Sequence, residues 1–172
     1  MVEVVTANTS TTALRVTFNG IPLTRLIAQG CPANCRDEVW YLVNPSVGTH
    51  SISVTTTSVS KYVTASALSF YNVDQATPFG TVVTVHGRDV SSSVSVVSHT
   101  GQLVADFYGN QASPPFMPTA GSGQTQQINL GDSAAQEVAS STKAGGSSST
   151  AMTWSWQETN DYADIGVAIN SG

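Results

Sequence analysis

The sequence predicts an all-β protein, an antiparallel β-sandwich of the jelly-roll type with about a dozen strands. Apolar residues alternate with Ser and Thr at a period of two, which is the spacing of half-buried strands, and helical periodicity is nearly absent. The alternating segments are short and are separated by Gly, Pro and Asn turns. We expect a single domain over residues 1–172, because this length suits one well-filled core and 40% of the residues are hydrophobic.

A hairpin is predicted near the start of the chain. Leu14, Val16 and Phe18 are spaced to share one face of a strand. The Asn19-Gly20 pair that follows is the strongest short hairpin signal, so we expect residues 21–27 to return as the partner strand.

Later segments are assigned by the same patterns. Residues 39–43 are continuously apolar, which is typical of a central strand buried on both faces. Residues 61–71 predict a long strand, and Asp74 suits the turn after it because its carboxylate can accept backbone hydrogen bonds. The Gly- and Ser-rich residues 144–149 predict a hairpin loop. The remaining strands are expected at residues 2–5, 52–54, 80–86, 93–98, 102–109, 124–130, 136–142, 150–156 and 163–169, with a Pro-rich loop at 113–118.

The charge composition excludes two classes of partner. The net charge is −5, and the six Lys and Arg residues are scattered singly, so the chain lacks the basic surface that binds nucleic acid. No apolar run approaches the roughly 18–20 residues that span a bilayer, so we expect no membrane insertion. Only 10% of the residues are charged, and Ser and Thr cover the solvent faces instead, a surface on which copies can pack side by side.

Cys31 and Cys35 are the only two cysteines, and they lie four residues apart. A zinc site needs more ligands than this spacing offers, since no second cysteine pair or paired histidine motif accompanies it. We therefore predict a disulfide within a small loop, with two free thiols as the alternative. A disulfide places the protein in an oxidising compartment.

Several motifs made of turns, core aromatics and strand ends follow one another along nearly the whole chain. They are Val-Thr-Phe-Asn-Gly-Ile-Pro-Leu-Thr (16–24), Glu-Val-Trp-Tyr-Leu-Val-Asn-Pro (38–45), Gly-Thr-His-Ser-Ile-Ser-Val (48–54), Val-Asp-Gln-Ala-Thr-Pro-Phe-Gly (73–80), Gly-Gln-Leu-Val-Ala-Asp (101–106), Gly-Ser-Gly-Gln-Thr-Gln (121–126), Ser-Thr-Lys-Ala-Gly (141–145) and Met-Thr-Trp-Ser-Trp (152–156). Their order is similar to a recurring β-sandwich module of secreted and surface proteins of bacteria and archaea and of some phage structural proteins.

This resemblance implies a fold and an extracellular or virion setting, and it brings no catalytic residues. The chain departs from the module in its cysteine loop. In the module another strand usually precedes the position of Met1. If that strand is missing, we expect an open sheet edge that a strand of another chain can fill.

Chemistry-bearing motifs are absent from the sequence. It contains no Gly-x-Ser-x-Gly elbow, no His-Glu-x-x-His pair and no phosphate-binding glycine loop, so we expect no enzyme and no catalytic residues. Asp161 and Asp164 flank Tyr162 in a predicted turn and are candidates for holding calcium with backbone carbonyls. Solvated turn acids are the commoner case, so we expect no cofactor.

Trp156 and Tyr162 are the candidate ligand-binding residues. A flat aromatic face suits a pyranose ring, and Trp156 lies at the end of its predicted strand near Tyr162. Burial is the default for a tryptophan that shares a strand face with Met152 and Trp154, so a glycan site here requires Trp156 to be exposed.

Three functions remain open at this point. The first is a non-catalytic structural or adhesive subunit of an extracellular surface fibre, appendage or adhesin, whose partners are other copies of itself. The second is a carbohydrate-binding module, whose partner is a glycan. The third is a phage capsid decoration or tail protein located in the virion, for which we expect reduced cysteines. Fold alone does not choose among them.

Overall fold

The computed structural model describes residues 1–59, 62–112, 116–131 and 136–172. These residues contain thirteen strands and no helix, and every strand pairing is antiparallel, which confirms the predicted all-β class. The strands are β1 (Val2–Thr6), β2 (Ala13–Phe18), β3 (Ile21–Pro22), β4 (Thr24–Gly30), β5 (Arg36–Tyr41), β6 (Ile52–Thr56), β7 (Val63–Ala67), β8 (Phe79–Val97), β9 (Leu103–Asn110), β10 (Thr119–Ala120), β11 (Thr125–Gly131), β12 (Glu137–Ala144) and β13 (Ser149–Ile169).

The strands form three sheets. Sheet I has the order β3-β2-β6, and sheet II has the order β4-β5-β1-β7. Sheet III has the order β10-β13-β9-β12-β11, with β8 paired to β13 as well.

Sheet II lies between the other two sheets. On one of its faces Val2 and Val4 pack against Val16 of sheet I. On the other face Val39 packs against Phe107 and Ile165 of sheet III. Strand β1 is therefore buried along its whole length, since each face is covered by a different layer.

The two longest strands make a ribbon that folds over sheet III. Residues 79–89 of β8 pair with residues 160–169 of β13, whereas residues 91–97 pair with 149–155, and an irregularity separates the two parts. We call the second part, residues 91–97 with 149–155, the outer ribbon. Val94 and Val96 of the outer ribbon pack on Val104 and Ala168, so it covers the face of sheet III that points away from sheet II.

Gly166 allows the outer ribbon to pack closely on sheet III. A Cβ at this position would lie 2.4 Å from Val96 Cγ2, closer than real Cβ contacts permit, and a tight 3.1 Å from Val94 Cγ1. The absence of a side chain at Gly166 thus sets the distance between the outer ribbon and sheet III.

Two predicted turns are confirmed. Asn19 and Gly20 both have positive φ values, 52° and 76°, as a two-residue hairpin turn of the primed type requires. Asp74 Oδ1 accepts hydrogen bonds from the backbone amides of Ala76 (2.8 Å) and Thr77 (3.0 Å).

Several predicted strand details are wrong. Leu14 is exposed and does not share the buried face of Val16, because a bulge between Ala13 and Arg15 shifts the register. Residues 21–27 do not form one partner strand: β3 pairs with β2, and β4 then joins β5 in the next sheet.

The longer segments also differ from the prediction. Within residues 62–71 only Val63–Ala67 is a strand, and Lys61 lies outside the described residues. The segment at 144–149 joins β12 to β13, but these strands pair with other neighbours, so it is a crossing between layers rather than a hairpin loop. Of the predicted Pro-rich loop, residues 113–115 lie outside the described part of the chain.

Candidate functional site

Cys31 and Cys35 form the predicted disulfide. They close the connection between β4 and β5, where Cys31 N also donates a hydrogen bond to Cys35 O (2.8 Å). Both cysteines are buried and pack with Val5, Val138 and Ala163. The bridge therefore fixes this connection against sheet III.

Trp156 and Tyr162 lie side by side, but Trp156 is only 8% exposed. Their ring centroids are 5.3 Å apart, and the Trp156 ring is 5.1 Å from that of Tyr108, which lies on β9. Trp154 also packs on Tyr108, at 6.1 Å. Trp156 is thus part of an aromatic cluster between the outer ribbon and sheet III, and its ring offers no open face to a sugar.

Asp161 and Asp164 lie on β13, in a strand rather than in the predicted turn. Asp161 Oδ1 accepts a hydrogen bond from Arg88 Nη1 (3.2 Å), and Asp164 Oδ2 accepts one from Ser92 Oγ (2.7 Å). Residues three apart on a strand point to opposite faces, so the two carboxylates do not converge. In the described ranges no three His, Cys, Asp or Glu side chains come together as metal ligands would.

A cluster of buried acids is the feature that sequence reasoning missed. Glu3 and Asp37 lie between sheets II and III, and Asp106 and Asp164 lie between sheet III and the outer ribbon; all four are fully buried. We call these four residues the carboxyl cluster. Alternation along a strand shows which residues share a face, but it does not show whether another layer covers that face. The sequence therefore carried no signal that these four acids are buried.

Burial raises the pKa of Glu3, Asp37 and Asp164 well above the ordinary carboxyl range, and it raises the pKa of Asp106 to about 7. Nearby carboxylates raise the pKa values further: Asp37 acts on Glu3, Asp164 acts on Asp37, and Asp106 acts on Asp164. Two causes therefore favour the uncharged acids, namely the loss of water and the repulsion between like charges.

A cleft of about 680 Å³ opens beside the first residue of β1. Its walls are mostly apolar. Tyr71 and Asn72 are among the residues that line it, and Tyr71 is 93% exposed. Its lining contains no charged side chain.

Strand β8 has one long edge that is open in the described part of the chain. Strand β8 pairs with β13 on one side, and within the described residues no strand pairs with its other side. Near the start of β8, Gln29 of β4 hydrogen-bonds the side chains of Thr84 (2.8 Å) and His86 (2.9 Å). Among the described residues, no such side-chain bond from sheet II is seen at residues 90–97, and these residues include neither a charged residue nor a proline.

The hydrogen-bond pattern shows which groups of this edge are free. Ser98 N donates to Ser148 O (3.3 Å), which makes Val97 and Ser149 a non-hydrogen-bonded pair of the antiparallel ladder. Because the register is unbroken from 97 to 91, alternate residues point their N–H and C=O groups away from β13. Those residues are Ser91, Ser93, Ser95 and Val97, and their side chains are exposed.

Other edges of the sheets are less open. Strand β4 carries a bulge between Arg25 and Ile27, and β11 carries one between Gln126 and Ile128. Bulges disturb the regular spacing that an added strand needs. Strand β7 is regular but has only five residues.

We call residues 90–97, on the open side of β8, the β8 edge.

Comparison with known proteins finds no family model, no curated protein and no solved structure that matches this chain. No stretch of helix in the described residues is long and apolar enough to cross a membrane.

Proposed function

We propose that this protein is a non-catalytic structural or adhesive module, of sandwich type, in an extracellular surface fibre, appendage or adhesin, and that copies associate through the β8 edge. The observation that carries the proposal is the free edge itself: eight consecutive residues without charge or proline, of which residues 91–97 pair with β13 without a bulge. Soluble proteins normally protect such an edge with one of these devices, because an open row of N–H and C=O groups pairs with other strands.

The side chains of the edge support the same conclusion. Ser91, Ser93 and Ser95 are small and uncharged, so a second strand can approach without steric or electrostatic cost. The whole chain has only 10% charged residues, which keeps repulsion between copies low. Pairing of two β8 edges gives a closed dimer, whereas pairing of the β8 edge with a different edge, such as β7, gives a chain of copies.

The disulfide favours an extracellular location. Disulfides persist in oxidising compartments, and this one is buried against sheet III as part of the core. The virion alternative predicts reduced cysteines, so an oxidised bridge in the native protein supports the surface module.

A proline in the β8 edge tests the proposal. The Ser95 N–H points away from β13, so Ser95→Pro removes a donor from the edge without removing a bond of the β8–β13 ladder. We expect the wild-type protein to show concentration-dependent association in sedimentation velocity and assemblies in electron micrographs, and Ser95→Pro to sediment as a monomer.

Ser95→Ala is the matched control, because it changes the same side chain but keeps the N–H, and we expect it to associate like the wild type. Unchanged circular dichroism spectra establish that all three proteins are folded. A wild-type protein that stays monomeric at every concentration contradicts the proposal. That outcome favours the alternative of glycan binding, with exposed Tyr71 beside the cleft as its contact rather than buried Trp156.

A further inference from the structure

The carboxyl cluster connects three of the stacked layers. Glu3 of β1 and Asp37 of β5 face sheet III from sheet II. Asp106 of β9 and Asp164 of β13 project from sheet III toward the outer ribbon. Gly109 leaves the space for Asp37, since a Cβ on this glycine would lie 3.2 Å from both Cβ and Cγ of Asp37.

The hydrogen bonds to the cluster come mainly from hydroxyl groups. Ser66 Oγ donates to Glu3 Oε2 (2.8 Å), Ser92 Oγ donates to Asp164 Oδ2 (2.7 Å), and Ser141 Oγ donates to Asp106 Oδ1 (2.5 Å). Neither oxygen of Asp37 has a partner in the described structure, and neither does one oxygen each of Glu3 and Asp164. A fully buried carboxylate with unpartnered oxygens is costly, whereas the protonated acid avoids the charge.

No cation in the described residues compensates these acids. The three ion pairs found there join Arg25 and Arg36 to Glu38 and Arg88 to Asp161, and none includes a member of the cluster. The other polar or titratable groups that face or act on the cluster are neutral hydroxyls and amides, aromatic groups and two further acids: Glu38, Ser66, Ser92, Tyr108, Asn110, Gln124, Glu137, Ser141, Trp154 and Tyr162.

We infer that the carboxyl cluster is a pH-sensitive switch: the folded protein holds these acids uncharged between its layers, and their ionisation above neutral pH loosens sheet III from sheet II and from the outer ribbon. The inference rests on the folded monomer and does not depend on association through the β8 edge.

The direction of the pH dependence follows from the burial. Because the pKa values of these carboxyls are higher in the folded protein than in the unfolded chain, their contribution to stability is complete below about pH 4. It is lost as the pH rises through the folded values, of which that of Asp106 is about 7.

Urea unfolding at pH 5, 7 and 9 tests the inference on the full chain, below the concentration of any association. For each proton that the folded state retains and the unfolded chain releases, the unfolding equilibrium constant rises about tenfold per pH unit. We expect a rise of at least this size for the wild type between pH 5 and 7. Asp37→Asn and Asp106→Asn, which mimic the uncharged acids, should each reduce the slope.

Asp161→Asn is the matched control, since Asp161 is also buried on β13 but is paired with Arg88. A reduced slope in Asp37→Asn and Asp106→Asn but not in this variant assigns the pH dependence to the cluster, and an equal reduction in all three contradicts that assignment. If an Asn variant fails to fold, the infrared carbonyl band of protonated carboxyl groups gives a second readout on the wild type: it should be present at pH 7 and disappear on unfolding. A flat pH profile of the wild type, or absence of this band in the folded protein at pH 7, overturns the inference.

Discussion

At the scale of single residues, the cysteine pair shows how a local sequence pattern can determine a structural feature. Four residues of separation allow a small closed loop and little else, and the structure contains that bridge. Trp156 shows the opposite case. The sequence placed it near Tyr162, but its burial depends on Tyr108, which lies on another strand and reaches it only after the layers have stacked.

Removal of the disulfide is a prediction at this scale. We expect the Cys31→Ala, Cys35→Ala double variant to lose about 2 kcal/mol of unfolding free energy, because the bridge restricts a short loop of the unfolded chain. Urea unfolding of the variant and the wild type measures the loss, and intact mass with and without reductant verifies the bridge. Equal stability of the two proteins would show that packing around Val5 and Val138 holds the loop without the bond.

At the scale of elements, the sequence predicted where strands lie better than how they are joined. Residues 80–86 and 93–98 were expected as two strands, and 150–156 and 163–169 as two more, but they form the continuous strands β8 and β13. The alternation of apolar and polar residues is interrupted at the irregularity near residues 156–159, where the ribbon passes from one layer to the next. A local pattern cannot distinguish such a bend from the end of a strand, because both interrupt the period of two.

The register of the strand pairs could not be predicted from the sequence either. The bulge between Ala13 and Arg15 leaves Leu14 exposed although its spacing from Val16 fits a shared face. One extra residue on one strand reverses which side chains are buried, and nothing in the local composition marks its position. The sequence predicted that an open sheet edge could form an interface, but it did not predict that this edge belongs to β8.

Gly166→Ala tests the fold-over of the outer ribbon. The added methyl group would lie 2.4 Å from Val96 Cγ2, so the ribbon must move away from sheet III, and we expect a loss of about 1–3 kcal/mol of unfolding free energy. Gly30→Ala is the control, since its Cβ would meet Thr9 Cγ2 at an ordinary 3.8 Å. Thermal and urea unfolding compare the variants, and equal effects of the two substitutions would mean that the ribbon is not closely packed.

At the scale of the whole molecule, stacked layers explain both proposals. A strand covered on both faces buries every side chain, including the four acids of the carboxyl cluster, and this cost is lowest when the acids are uncharged. The same stacking places the outer ribbon at one end of the stack, so that the outer side of β8 remains unpaired. The proposed stability in acid and the proposed association through the β8 edge therefore rest on one architecture.

Residue-resolved hydrogen exchange of the β8 edge, measured by NMR at low and high protein concentration, tests the proposed association most directly. In the dilute protein, the amides of Ser92, Val94 and Val96 should be protected by β13, while those of Ser91, Ser93 and Ser95 exchange fast. At high concentration the second set should become protected as well, because a strand of another copy accepts their hydrogen bonds. If the protein associates while these three amides still exchange fast, association uses another surface and the account of the β8 edge is wrong.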